Sequence, residues 1–184
     1  MPKLNHKDLL LEKISSKHID EGWLEWLNSA SNKRETLNRP PHKYNRKQLF
    51  KYLKDLKKTK DLMFAVRLKK NNVYIGNLRI SNIDNYNKSC GYGRLLGNTK
   101  YRAKGYGLLF LYKICEIAFE KLKMNKIFSP CYADNYRSLA NNLKFGMRIS
   151  GYFKNHFRKN NRFKDVYYLE LTKEEFKKIK PKFN

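Results

Sequence analysis

Arg102-Ala103-Lys104-Gly105-Tyr106-Gly107 stands between an apolar run, Tyr92 to Leu96, and a long helical pattern that begins near Tyr106. A glycine-containing turn that enters a helix aims several main-chain N–H groups at one spot, and such a spot binds phosphate. Gly105 and Gly107 carry no Cβ, so the backbone can approach an anion closely. Arg102 and Lys104 add positive charge. The turn is therefore a candidate pyrophosphate cradle; a plain basic surface turn is the alternative. It is not the dinucleotide fingerprint, which needs three glycines, nor a phosphate loop ending in Gly-Lys-Ser/Thr.

Outward from this turn the chain alternates between strand and helix patterns. Toward the N-terminus, Asp8–Ile14 reads as a strand, and Ser15 or Ser16 caps a helix with Ile19, Trp23, Leu24 and Leu27 on one face. Arg39-Pro-Pro-His42 is a break, and Asn45 caps a second helix that turns Leu49, Leu53 and Leu56 inward. Leu62–Leu68 and Val73–Ile80 are strands joined at Asn71-Asn72, Asp84–Ser89 is a polar turn, and Gly91–Leu96 is a fourth strand. The third helix, Tyr106–Leu122, carries Leu108, Leu111, Cys115, Ala118 and Leu122 at core-packing spacing. Lys126–Tyr132 is a fifth strand interrupted by Pro130, followed by a helix over Asn135–Phe145. Ile149–Phe157 and Arg162–Leu171 are strands around Lys159-Asn160-Asn161, and Thr172-x-x-Glu175 is a capping box for a last helix. This order predicts one domain, residues 1–184, with a mixed α/β sheet.

The chain of 184 residues is long enough to bury a core. Hydrophobic residues at 41% argue against disorder despite a mean hydropathy of −0.80. No apolar run approaches the length of a membrane span, and the N-terminal residues lack the apolar stretch of a signal peptide, so a cytoplasmic location is expected. Cys90, Cys115 and Cys131 have no metal-ligand spacing and read as reduced, buried thiols; no metal site is expected. The net charge of +25 is spread along the chain after residue 30. Such a field attracts CoA, nucleotide-linked substrates, RNA or ribosomes; compositional bias with solvated lysines is the alternative.

The cradle together with Asn135-Tyr-Arg-Ser138 and Phe145-Gly146-Met147 resembles the Gcn5-related N-acetyltransferase (GNAT) superfamily. Its acyl-CoA loop reads Arg/Gln-x-x-Gly-x-Gly/Ala. His18-Ile-Asp20 and Trp23–Asn28 resemble that family's first helix, Tyr74–Asn77 its third strand, and Gly93–Leu96 its fourth. The chain is most similar to the branch of amino-sugar and ribosomal-protein N-terminal acetyltransferases. The resemblance implies a mostly antiparallel sheet of about seven strands, splayed between strands 4 and 5, with acetyl-CoA as cosubstrate and a monomer or homodimer. It also implies that Arg102, Ala103, Lys104, Gly105, Tyr106 and Gly107 hold the pyrophosphate. Leu95 and Leu96 would bond the pantetheine arm through their backbone, with an amide near Leu96 polarising the thioester oxygen. Asn135 would bond the arm and Ser138 line the channel, with an N-cap role for Asn135 compatible with this.

Two expected groups are missing. Relatives often carry a tyrosine four residues after the serine, as acid for the departing thiolate; Asn142 stands here. Relatives also often carry a glutamate in the fourth strand; Gly91 lies at the matching place. Candidate bases are Asp84, Asp134, Asp165, His42, His156 or a water chain, and candidate acids are Tyr92, Tyr132 and Tyr136. Of these, Asp84, Tyr92 and Tyr136 join Leu96 as the proposed catalytic set. The acceptor reads first as a nucleotide-linked amino sugar or similar small amine, with Arg39–Tyr44 available to its diphosphate. The alternatives are a protein α-amine, docked on ribosomal RNA through the positive charge, and a non-catalytic CoA- or RNA-binding module.

Overall fold

The structure, a computed structural model, describes residues 5–30, 43–159 and 161–183. The break at 39–42, His42 with it, and Asn160 of the last hairpin lie outside the described residues. Seven strands form one mixed sheet in the order β1-β2-β3-β4-β5-β7-β6. They are β1 (Leu9–Lys13), β2 (Leu62–Leu68), β3 (Tyr74–Asp84), β4 (Ser89–Leu96), β5 (Lys126–Tyr132), β6 (Arg148–Lys159) and β7 (Arg162–Thr172). Only β4–β5 is parallel; the other neighbours run antiparallel, as expected from the sequence.

Helices cover both faces. On one side lie α1 (Leu24–Asn28) and α2 (Arg46–Leu56), whose Trp26, Leu27, Leu49 and Leu53 pack, with Trp23 just before α1, against Ala65 and Tyr74 of the sheet. On the other lie α3 (Tyr106–Cys115) and α4 (Tyr136–Phe145), with α5 (Lys173–Ile179) closing the end. Here Leu109, Phe110, Leu111 and Ile114 of α3 meet Ile75, Leu78, Ile80 and Ile127 of the sheet. The capping boxes expected from Asn45 and Thr172 both form.

Two local readings change. The expected serine cap of the first helix is absent. The chain enters it through a wide turn, Ile19–Trp23, kinked at Gly22 with φ 128°, while the Ser15 amide donates to His18 Nδ1 at 3.0 Å. The third helix does not stay α-helical to Leu122; it opens into a π turn over Glu116–Lys121. It is also buried nearly all round, including Tyr112 and Phe119, because α5 and the chain near His6 cover the side away from the sheet.

β4 and β5 pair at Ser89↔Lys126, Cys90↔Ile127 and Gly91↔Phe128, and then diverge. The last tie is the Ser129 hydroxyl, which donates to the Tyr92 carbonyl at 3.0 Å. Pro130 does not interrupt β5, which stays in register with β7 through Pro130↔Tyr168. A proline is tolerated in a central strand only where its missing N–H faces no partner. Pro130 therefore turns its donorless side to the gap and keeps β5 from resuming a ladder with β4.

A charged cluster ties the turn that leads into α1 to the sheet. Glu12 accepts from Lys17 and His18 Nε2, both at 2.8 Å, and from Arg67, which also bonds Glu21. Burial raises the Glu12 carboxyl, but the hydrogen bonds from Lys17, Arg67 and His18 outweigh it and bring the group down to about 2. A carboxyl depressed in the folded state adds stability above its unfolded value near 4.5, and that stability is lost as pH falls toward 2. The difference is worth roughly 3 kcal/mol. Chemical denaturation across this range should show a steep acid limb that Glu12→Gln flattens. An unchanged limb in the variant would assign the acid sensitivity elsewhere.

The three cysteines are free and buried, as expected. Burial pushes the Cys90 thiol up to about 12 and raises Cys115 and Cys131 as well.

Candidate active site

A groove of about 700 Å³ passes through the gap between β4 and β5. Its lining runs from Trp23, Leu27, Leu49 and Tyr52 beside α1 and α2 to Gly105, Gly107, Asn135 and Ser138 beside α3 and α4. Backbone direction alternates along a strand. The Tyr92 carbonyl faces β5, and the Gly97 amide donates back to Ile75 O of β3 at 3.0 Å. The even-numbered residues of β4 therefore turn their backbone groups to the gap, so the Arg94 and Leu96 amides point into the groove. Side chains alternate across the sheet: Leu95 packs on the α1–α2 side and Leu96 on the α3 side. The edge on which the sequence placed Leu95 and Leu96 is thus open, with Leu96 as the residue whose amide it presents.

The turn before α3 holds two left-handed residues, Ala103 at φ 58° and Gly105 at φ 85°, the latter capping the helix. For an alanine this conformation costs about 1–2 kcal/mol, a strain accepted where the backbone must curl around something. The first amides of a helix have no carbonyl partner within it, so those of Tyr106 and Gly107 face outward from the helix end. Arg102, Ala103, Gly105 and Gly107 line the groove. Lys104 does not; its ammonium lies over the Tyr101 ring, 5.9 Å from the centroid. The Tyr106 side chain is buried against Tyr101 and belongs to the core. The backbone of both residues faces the cradle's turn, and neither side chain lines the groove.

Asn135 caps α4, its side chain accepting from the Ser138 amide at 3.2 Å, and both residues line the groove. The capping and channel roles coincide. Tyr92 also lines it, with its hydroxyl directed at Asn142 Oδ1 (3.2 Å) and Met147 Sδ (2.9 Å). Burial pushes that phenol well above its ordinary value, so it stays protonated.

Several candidates are not brought to the groove. Asp84 sits at the exposed end of β3, where its carboxylate accepts from the Tyr86 and Asn87 amides and the Asn87 side chain. Those bonds pull its pKa down, and they fit a turn clasp rather than a base. Tyr136 points to solvent at 75% exposure, on the face of α4 away from the groove. Asp134 pairs with Lys164, and Asp165 accepts from the Asn155 amide and the Tyr152 hydroxyl in the β6–β7 hairpin. His156 stacks among Phe153, Phe157 and Tyr168 on that hairpin. Among the described residues, no carboxylate and no imidazole lines the groove.

Sequence reasoning missed Arg94. Its guanidinium reaches under β4, donating to Gly107 O at 2.5 Å and to Asn142 Oδ1 at 3.0 Å. Its place between Tyr92 and Leu96 in a period-of-two strand was the available signal: it shares their inward face.

A sequence profile of the acetyltransferase (GNAT) domain matches residues 8–148. Solved structures share the fold at low identity. A GNAT-family acetyltransferase from Bacillus anthracis is 22% identical with a TM-score of 0.77, covering 91% of this chain and 96% of that one. A spermidine N-acetyltransferase from Vibrio cholerae, in complex with CoA and spermine, is 16% identical with a TM-score of 0.75, over 92% and 98%. A dodecameric structure of the Vibrio cholerae spermidine N-acetyltransferase is 18% identical with a TM-score of 0.74, over 92% and 96%. No curated protein matches the chain in sequence. The chain belongs to the GNAT acetyltransferase family and is an acetyl-CoA-dependent N-acetyltransferase.

Proposed function

We propose that this GNAT enzyme acetylates the primary amine of a small acceptor that also carries negative charge, with a nucleotide-linked amino sugar as the leading candidate. The observation that carries this reading is the charge of the groove wall. Arg79, Arg94, Arg102 and Arg137 line it, and no carboxylate among the described residues does; Arg79 is paired with Asp61 at 2.6 Å just outside the wall, and Arg94 reaches the α3 side through Gly107 O. A nucleotide diphosphate suits guanidinium groups, which bind phosphate in a fork. A polyamine with several ammonium groups meets like charge instead, which costs several kcal/mol. Gly93 supports a flat acceptor floor, since a Cβ built there would meet nothing within 4 Å. Tyr44, held by reciprocal bonds with Asn28, supplies aromatic surface on the same side.

In this reading the amides at the start of α3 and the Arg102 side chain grip the diphosphate of acetyl-CoA. The Leu96 amide polarises the carbonyl under attack, and Asn135 and Ser138 border the arm's path. Bound acetyl-CoA supplies an activated acetyl thioester. Positioning carries much of the rate, because oriented reactants gain on the order of 10⁵–10⁸ M in effective concentration. An acceptor panel tests the substrate class: nucleotide-linked 4-amino sugars, spermidine and spermine, and a peptide with a free α-amine. The amino sugar is expected to exceed spermidine in kcat/KM by about a hundredfold, the equivalent of roughly 2.8 kcal/mol. Preferred turnover of spermidine or of the peptide would overturn the reading.

A further inference from the structure

Resting on the acetyl-transfer reading above, we propose that the Arg94 guanidinium stabilises the thiolate that leaves CoA, with Asn142 as its positioning residue. In that transfer the amine nitrogen bonds the acetyl carbon and the carbon–sulfur bond breaks. Its electron pair departs on sulfur, and the nitrogen's proton passes to water at the groove mouth. A new anion thus forms inside the groove, and a fixed cation beside it lowers the barrier.

Arg94 has the attributes of such a cation. It lines the groove three residues beyond the last β4–β5 pair, where the two strands have diverged, and its guanidinium sits between Gly107 O and Asn142 Oδ1 on the α3 side. Its hydrogen-bond partners Gly107 O and Asn142 Oδ1 are uncharged. They fix the group without neutralising it. Among the described residues no carboxylate forms an ion pair with it, and the charged forms that favour it are Tyr92, Cys131 and Cys115, which burial keeps neutral. Burial lowers the Arg94 pKa from its ordinary value, yet a guanidinium keeps its proton in a protein. The groove therefore holds a partly desolvated positive charge with no counter-ion among the described residues. Asn142 is 3% exposed and accepts from Arg94 and Tyr92 together, which locks its amide and hence the fork.

Titration of the bound cofactor's thiol tests this without any acceptor. The protein is saturated with CoA, thiolate is followed by ultraviolet absorbance, and the complex with desulfo-CoA, which lacks the sulfur, is the blank. The bound thiol is expected to titrate about one pH unit below the ordinary thiol value of about 8.5. Arg94→Met should return it to that value or above, and Arg94→Lys should keep part of the depression. Identical titrations in wild type and Arg94→Met would overturn the proposal. So would an Arg94→Met protein that loses affinity for CoA and desulfo-CoA by the same factor while the thiol titrates unchanged, since the guanidinium would then serve the diphosphate. Should Arg94→Met not fold, Asn142→Ala replaces it: a smaller upward shift supports the proposal, and no shift overturns it. Failure of the wild-type protein to bind CoA at all is a distinct result, which removes the acetyl-transfer reading and this inference together.

Discussion

Gly105→Glu is expected to lower CoA affinity at least a hundredfold while the protein remains folded. Gly105 caps α3 at φ 85° and is exposed, so a larger residue meets strain rather than collision. That strain is about 1–2 kcal/mol. In a chain of this size it moves Tm by only a few degrees. The affinity effect is larger. A carboxylate would stand in the turn that is to receive a diphosphate, where like charges cost several kcal/mol. A hundredfold needs only about 2.8 kcal/mol. Gly105→Ala separates the two effects, since it carries the strain without the charge and should bind CoA nearly as the wild type does. Calorimetric titration with CoA decides the matter. Unaltered affinity in Gly105→Glu would move the diphosphate away from this turn.

Gly76→Ala is expected to cost about 3 kcal/mol of stability, with Tm falling by about 6–12 °C. A Cβ on Gly76 would stand 2.1 Å from the Leu95 carbonyl oxygen and 2.9 Å from the Phe110 ring. The first contact is with backbone, so relief requires β3 and β4 to separate at Asn77↔Leu95 and Gly76↔Leu96. That displacement acts on the stretch whose Leu96 amide faces the gap, so CoA affinity should fall along with stability. Differential scanning calorimetry measures the first effect. A Gly76→Ala protein that melts with the wild type would mean that the two strands tolerate a wider spacing.

Local chemistry made much of this fold readable from sequence. The Arg102–Gly107 turn, the two capping boxes and the bounds of β5 depend on neighbours within a few residues, and all appear where the residue types place them. Long-range packing was less legible. The burial of α3 on nearly all sides depends on α5, more than sixty residues later in the chain, so its apolar stripe read too narrow. Pro130 looked like a break because a proline removes a donor, but the donor it removes faces the gap. Asp84 and Tyr136 are candidates by side-chain type alone, and type says nothing about direction: one clasps a turn and the other faces water. Arg94 was hidden among many basic residues, and only its strand position distinguished it.

The groove is lined from both faces of the sheet, by residues of α1 and α2 and by residues of α3 and α4, and the consequence is kinetic. In the proposed reading donor and acceptor meet opposite faces of the sheet, and neither has to depart before its counterpart arrives. The acetyl group can then be handed across directly while both are resident, with no way-station on a protein nucleophile. The inert character of the enclosed Cys131 beside that passage is in keeping with such an exchange.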